Sequence, residues 1–166
     1  MKGYFIAMLR KIFKAIIKAV SKTVDADTGR NSSADRELQI ATCALLLEIA
    51  HADNEFSPDE EQKIEQLMRS HFMLSEEGFL EIKMLSEKKL KGSIDLWQFT
   101  KTIKEQYSRQ QKEKIIEMLW AVIYTDNSLD AHEDYLVHKL ATLLNLDHRN
   151  LIEAKMKILG RRNLKQ

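Results

Sequence analysis

The chain has 166 residues, of which 44% are hydrophobic and 31% are charged, and its formal net charge is +1. These values place it among ordinary soluble globular proteins, with the length of one domain. The single cysteine, Cys43, excludes an internal disulfide. Its position in the apolar run ATCALLLEIA predicts a buried, inert thiol and a reducing, cytoplasmic location.

The positive charge is concentrated at the N-terminus. Residues 1–22 contain six basic residues and no acid, which leaves 20 basic against 25 acidic residues in the rest of the chain. Apolar residues recur there at helical spacing, so residues 1–23 are predicted to form a basic amphipathic helix. Basic residues interrupt every apolar stretch, which argues against a transmembrane helix and against a cleavable signal peptide. The surface predicted to bind a membrane or a partner consists of Phe5, Leu9, Lys11, Ile12, Phe13, Lys14, Ile16 and Lys18.

Two roles for this N-terminal helix stay open. It is either an interfacial helix held at an anionic membrane surface, or an amphipathic helix folded onto the body of the protein or onto another subunit. Residues 24–32 are rich in Asp, Thr, Gly, Asn and Ser, which predicts a flexible linker.

Residues 33–166 are predicted to form a compact all-α bundle. They show no sustained period-two alternation of the kind that a strand requires. Capping signals place the starts of six helices at Ser57, Ser75, Asp95, Ser108, Asp130 and Asp147. Seven helices are expected, near residues 33–52, 57–71, 75–90, 95–107, 109–125, 131–144 and 148–160.

An internal repeat relates the two halves of this bundle. Shifting the sequence by 73 positions superimposes ADNEFSPDEE (52–61) on TDNSLDAHED (125–134). Each unit is a mostly buried helix, a short acidic loop and an amphipathic helix. The two near-continuous apolar helices, 38–52 and 109–125, are expected to pack together as the central pair of the bundle, related by an approximate two-fold.

The acidic loops allow two interpretations. In the first, they are helix connectors in which SPDE and DAHE act as capping boxes and Asn54 and Asn127 take the left-handed conformation. In the second, the crowded carboxylates bind a hard cation such as calcium, which prefers several oxygen ligands. An EF-hand is excluded, because a loop starting at Asp53 has Pro58 at its sixth position and Ile64 at its twelfth.

The segments ALLLEIAHADNEFSPDEEQKIEQL and MLWAVIYTDNSLDAHEDYLVHKLATLLNL resemble the tellurite-resistance TerB-like family over residues 38 to about 158. The resemblance implies an all-helical, cytoplasmic bacterial protein connected with stress responses, metal-ion handling and complexes at the inner membrane. By position, the acidic residues of the family correspond to Asp53, Glu60, Asp126 and Glu133. These four are the candidate metal ligands. The family's glycine after each aspartate is replaced here by asparagine.

Other classes of function are not supported by the sequence. It contains no glycine-rich phosphate loop, nucleophile elbow or H-E-x-x-H motif, so we expect no enzyme activity. The net acidic body argues against nucleic-acid binding. We expect a non-catalytic helper of the tellurite-resistance type, in the cytoplasm or peripheral to the inner membrane, that binds divalent cations weakly, a protein partner, or both. The alternative is a pure protein-interaction module whose loops hold no ligand. The sequence leaves the oligomeric state open.

Overall fold

The computed structural model describes residues 33–93 and 95–163. The predicted N-terminal helix and linker lie outside these residues. The described residues form seven α-helices and no strand, which confirms the all-α prediction. The helices are α1 (Ser33–Ala50), α2 (Pro58–Phe72), α3 (Glu76–Lys91), α4 (Trp97–Gln106), α5 (Arg109–Ile123), α6 (Ala131–Leu143) and α7 (His148–Asn163). A short 3-10 turn, Tyr124–Asp126, follows α5.

Each helix begins and ends within three residues of its predicted range, because the capping residues act as the sequence indicates. Ser57, Ser75 and Ser108 are the N-caps of α2, α3 and α5. At the start of α7, Asp147 Oδ1 accepts a hydrogen bond from the N–H of Asn150 at 3.0 Å. The start of α4 differs slightly. It begins two residues after Asp95, whose Oδ1 nevertheless accepts from the N–H of its first residue at 2.9 Å.

The ends of α2 and α6 show that the repeat continues beyond the second helix of each unit. Met73 and Asn145, which follow these helices, have φ angles of 55° and 58° in the left-handed region. The next residues, Leu74 and Leu146, donate their N–H groups back to the carbonyls of Arg69 and Ala141 at 3.1 and 2.9 Å. A left-handed residue followed by a hydrogen bond from the N–H of residue i to the carbonyl of residue i−5 is a Schellman motif. Helices α3 and α7 follow it equivalently, so each half contributes three helices and α4 has no counterpart.

The core is centred on the two helices that the sequence marks as apolar nearly all round. Every residue of α1 from Leu38 to Leu47 is buried, and so is every residue of α5 from Ile115 to Ile123. Helix α5 packs against α2, α6 and α7, and α4 packs against α6. Cys43 is fully buried, and its burial raises the thiol pKa to about 12. This confirms the prediction that the thiol is buried, and the raised pKa favours its protonated, less nucleophilic form.

Candidate functional site

Hydrogen bonds within the loop fix the acidic connection between α1 and α2. Asp53 Oδ1 accepts from the backbone N–H of Glu55 at 2.9 Å. Asn54 has a φ of 64°, and its N–H donates to the carbonyl of His51 at 3.1 Å. The aspartate therefore closes a tight turn that contains one left-handed residue, a conformation that asparagine tolerates better than most residues.

The loop between α5 and α6 repeats these contacts 73 positions later. Asp126 Oδ1 accepts from the N–H of Ser128 at 3.0 Å. Asn127 has a φ of 68°, and its N–H donates to the carbonyl of Tyr124 at 3.4 Å. The left-handed conformation predicted for both asparagines is thus confirmed, and the sequence repeat corresponds to a repeat of hydrogen bonds.

A capping box follows each loop. Glu60 Oε2 accepts from the N–H of Ser57 at 2.8 Å, and Ser57 Oγ accepts from the N–H of Glu60 at 3.2 Å. In the second unit, Glu133 Oε2 accepts from the N–H of Asp130 at 2.9 Å. Asp130 Oδ1 accepts from the N–H of His132 at 2.7 Å. The capping interpretation of the loops is therefore confirmed for both units.

The structure also places Glu133 close enough to the other three candidate ligands for their charges to act on it. Glu60 and Glu133 are each only 4% exposed. Burial raises the pKa of Glu133 to about 7, although a hydrogen bond from Asp130 opposes the rise, and the negative charges of Asp53, Asp126 and Glu60 add to it. None of the four forms an ion pair within the described residues. The site is a concentration of negative charge, drawn from both halves of the chain, that no basic side chain neutralises there.

The carboxylates do not form a ready-made metal centre. Among the described residues, no three His, Cys, Asp or Glu side chains are arranged so that they could hold a metal ion. Each of the four carboxylates uses one oxygen for its turn or cap. Within the described residues, the second oxygen of each of these carboxylates accepts no hydrogen bond. These second oxygens are the groups that would coordinate a cation.

Basic residues of α7 hold the second loop, a contact that the sequence analysis did not identify. Arg162 donates to the carbonyl of Tyr124 through Nη1 and to Asn127 Oδ1 through Nη2. Lys155 Nζ lies 4.8 Å from the ring centroid of Trp120 and 6.0 Å from that of Tyr124. Because these partners are more than thirty residues apart in sequence, no local pattern indicates the contact. The side chain of Asn127 thus has a role that a glycine could not fill.

The predicted N-terminal contact surface, from Phe5 to Lys18, lies outside the described residues. No helix among the described residues is both long enough and apolar enough to cross a membrane.

The fold and the paired loops define an all-helical domain built by duplication of a helix, an acidic loop and a capped helix. The family model of tellurite resistance protein TerB matches residues 39–156. This match covers well over half of the chain, so the chain belongs to the TerB family. Comparisons with curated proteins and with solved structures find no match.

The raised pKa of Glu133 predicts that the protein is less stable at high pH. A carboxyl whose folded pKa is about 7, above its ordinary value, stabilises the fold fully below the unfolded pKa. This stabilisation is lost as the pH rises through the folded pKa. The contribution of Glu133 to the free energy of unfolding should therefore fall by roughly 2–3 kcal/mol between about pH 5 and about pH 8. Urea denaturation at several pH values measures this change.

The matched variant is Glu133→Gln, because glutamine can still accept the hydrogen bond of a capping box. This variant should lack the contribution of Glu133 to the pH dependence, and at about pH 8 it should be more stable than the original chain. Glu153→Gln changes an exposed acid and is expected to leave the pH dependence unaltered. A slope that persists unchanged in Glu133→Gln would contradict the assignment.

Proposed function

We propose that this TerB-family chain is a non-catalytic protein of stress response and metal-ion handling that binds a divalent cation weakly between its two acidic loops. The observation that carries the proposal is the approach of Asp53, Glu60, Asp126 and Glu133 without a basic partner among the described residues. A bound cation would relieve their mutual repulsion and the cost of burying Glu133. The two loops come from different repeats, so the ion would link the two halves of the bundle.

The chemistry of the ligands favours a hard cation at low affinity. All four candidate ligands are carboxylates, which suit calcium, magnesium or manganese better than zinc. One oxygen of each is already engaged in a turn or a cap. Neither loop has the glycine or the bidentate glutamate of a tight calcium loop. Backbone carbonyls and water would therefore have to complete the coordination shell.

A titration of the full chain with calcium, magnesium and manganese tests the proposal. A cation that binds only the folded protein raises stability by RT ln(1 + [L]/Kd), so the melting temperature should rise with ion concentration. Asp53→Asn and Asp126→Asn should leave stability without the ion nearly unchanged and remove most of this rise. Glu153→Gln, at an exposed acid outside the loops, is the matched control. A rise that persists in the double variant would contradict the proposed ligands.

The second candidate function is a protein-interaction module whose loops hold no ion. It is favoured by the two closed capping boxes and the two aspartate turns, which together already engage one oxygen of every candidate ligand. In that case no divalent ion should change the melting temperature. Ser57→Ala should still lower stability by about 0.5–2 kcal/mol, with or without added metal, because it removes a cap.

The proposal includes a protein partner and, through residues 1–22, an anionic membrane surface. It rests on the six basic residues of that segment, each worth about 1 kcal/mol near such a surface. The full chain should cosediment with anionic vesicles at low salt and dissociate as salt is added. Replacing Lys11, Lys14 and Lys18 by glutamate should abolish binding. Unchanged binding in that variant would contradict the membrane role.

A further inference from the structure

The outward face of α3 carries large apolar side chains that the described part of the protein does not cover. Leu80 is 50% exposed and Met84 is 54% exposed. They lie four residues apart, so they are neighbours on one side of the helix. The opposite side of α3 packs into the core through Phe79 and Ile82. Single exposed apolar residues are ordinary, but an adjacent pair on a helix face is typical of a contact surface.

Charged residues continue this stripe at both ends. Glu77 precedes Leu80 by three residues, and Lys88 follows Met84 by four, so all four side chains lie on one face. Within the described residues neither Glu77 nor Lys88 has an ion-pair partner. Two of the charges beside the stripe are in contrast paired within the chain.

Two ion pairs within the chain account for these neighbouring charges. Glu81 pairs with Arg36 of α1, and Lys83 pairs with Glu61 of α2. The stripe is therefore an acid, two apolar residues and a base in order along the helix, with Glu81 and Lys83 beside it paired to other helices. This order is complementary to itself when a second α3 runs in the opposite direction.

We propose that two copies of this chain associate through α3, with the two helices antiparallel and related by a two-fold axis near residue 82. In this arrangement Leu80 of one copy packs on Met84 of the other, and Glu77 faces Lys88. Each contact occurs twice, as a two-fold interface requires. At a rise of about 1.5 Å per residue, the acid and the base lie at nearly equal distances on either side of the axis. A contact limited to one helix face from each copy belongs to the weak, transient class of interfaces.

The equivalent face of α7 supplies an internal comparison. Shifting α3 by 72 positions places Met156 on Met84, and Met156 is 60% exposed. The same shift places Arg149 on Glu77 and Gly160 on Lys88. The α7 face thus has a similar exposed methionine but no acid and base at its two ends, so it is not complementary to itself. Helix α7 therefore provides a control of matched exposure and position.

Sedimentation velocity of the full chain over a wide concentration range tests the proposal. The average mass should rise from that of one chain towards that of two. Met84→Glu should weaken association by about tenfold or more, because it places two negative charges in the interface. Met156→Glu should leave association unchanged. A wild-type chain that stays monomeric throughout would overturn the proposal and would be consistent with another occupant of this face, such as residues 1–22. Equal weakening by Met156→Glu would also overturn it.

A mixing experiment tests the antiparallel geometry itself. Glu77→Lys alone and Lys88→Glu alone should each reduce dimerisation, because each places like charges opposite one another in both contacts. In a mixed dimer of the two variants, both contacts again join a lysine to a glutamate. An equimolar mixture should therefore recover the association of the original chain, and circular dichroism checks that each variant keeps its helices. A mixture that associates no better than either variant alone would rule out this interface.

Discussion

Replacing Trp120 by alanine is expected to lower the free energy of unfolding by about 3–5 kcal/mol, the range for deleting a large buried aromatic side chain. Trp120 is completely buried in α5, and its Nε1–H donates to the carbonyl of Leu151 in α7 at 3.1 Å. Its ring stacks on Tyr124, with centroids 5.8 Å apart. The substitution thus removes apolar packing, a hydrogen bond between two helices and the support of the second acidic loop.

The second tryptophan of the chain provides the control for this experiment. Trp97 lies in α4 and is 57% exposed, with Lys101 Nζ 5.0 Å from its ring centroid. Trp97→Ala should change stability by no more than about 0.5 kcal/mol, as surface substitutions usually do. Chemical denaturation followed by circular dichroism measures both variants without depending on tryptophan fluorescence. Equal losses in the two variants would show that Trp120 is not a central core residue.

Removing the lysines around Glu117 is expected to be nearly as costly. The side chain of Glu117 is only 8% exposed, and Lys157 and Lys114 lie 3.0 and 3.2 Å from its two oxygens. Arg161 is more distant, at 3.6 Å. Burial acts to raise the pKa of Glu117, but the hydrogen bonds and charges of the two lysines outweigh it and hold the pKa below its ordinary value.

The double variant Lys114→Ala, Lys157→Ala leaves a buried carboxylate with one weaker partner. Leaving a buried carboxylate without its close hydrogen-bond partners costs about 1–3 kcal/mol, and more when the group is charged. Glu117→Leu should cost much less, because the lysines that it leaves unpaired are about half exposed and regain hydration. Denaturation curves at neutral pH measure both. Lys101→Ala, which breaks an exposed pair with Glu105, is the control and should change little.

The pH dependence separates a lost charge interaction from lost packing. In the original chain the depressed pKa of Glu117 contributes stability above the unfolded pKa, and that stability is lost as the pH falls through the folded pKa. In the double variant burial dominates and raises the pKa of Glu117. The loss of unfolding free energy in the double variant, relative to the original chain, should therefore shrink as the pH falls to about 4.5, where the carboxyl is protonated. A deficit of equal size at every pH would indicate packing alone.

Much of this fold could be predicted because its signals are local. Capping boxes at Ser57, Ser108 and Asp130 depend on residues three positions apart, so the sequence indicates each helix start directly. The burial of α1 and α5 follows equally from their continuous apolar composition. Among the helix starts, the prediction is least accurate for α4, which begins at Trp97 instead of residue 95. Asp95 accepts a hydrogen bond from Trp97, but it lies one residue before the cap.

The residues of the candidate site could be predicted from the sequence, but their arrangement in space could not. The resemblance to the TerB-like family indicated Asp53, Glu60, Asp126 and Glu133, which the repeat places in register. Local hydrogen-bonding rules gave their roles in the turns and caps. Their mutual approach depends on how the two halves of the bundle pack, which no spacing along the chain reveals. The raised pKa of Glu133 and the contact of Arg162 with the second loop depend on the same tertiary packing, and both appeared only with the structure.

Arg162 hydrogen-bonds to the second loop. The two loops therefore differ in the free energy needed to open them, although their internal hydrogen bonds are equivalent. The position equivalent to Arg162 in the first half is Leu90, which cannot donate a hydrogen bond to a loop. Within the described residues the first loop is held by local hydrogen bonds, by the stacking of His51 on Phe56 at 4.5 Å and by the packing of Phe56 against the core, with no hydrogen bond from another helix. Segments with few tertiary attachments open at the lowest free-energy cost. Exchange of protons, water or ions with the acidic site should therefore proceed through the first loop, with the second remaining closed.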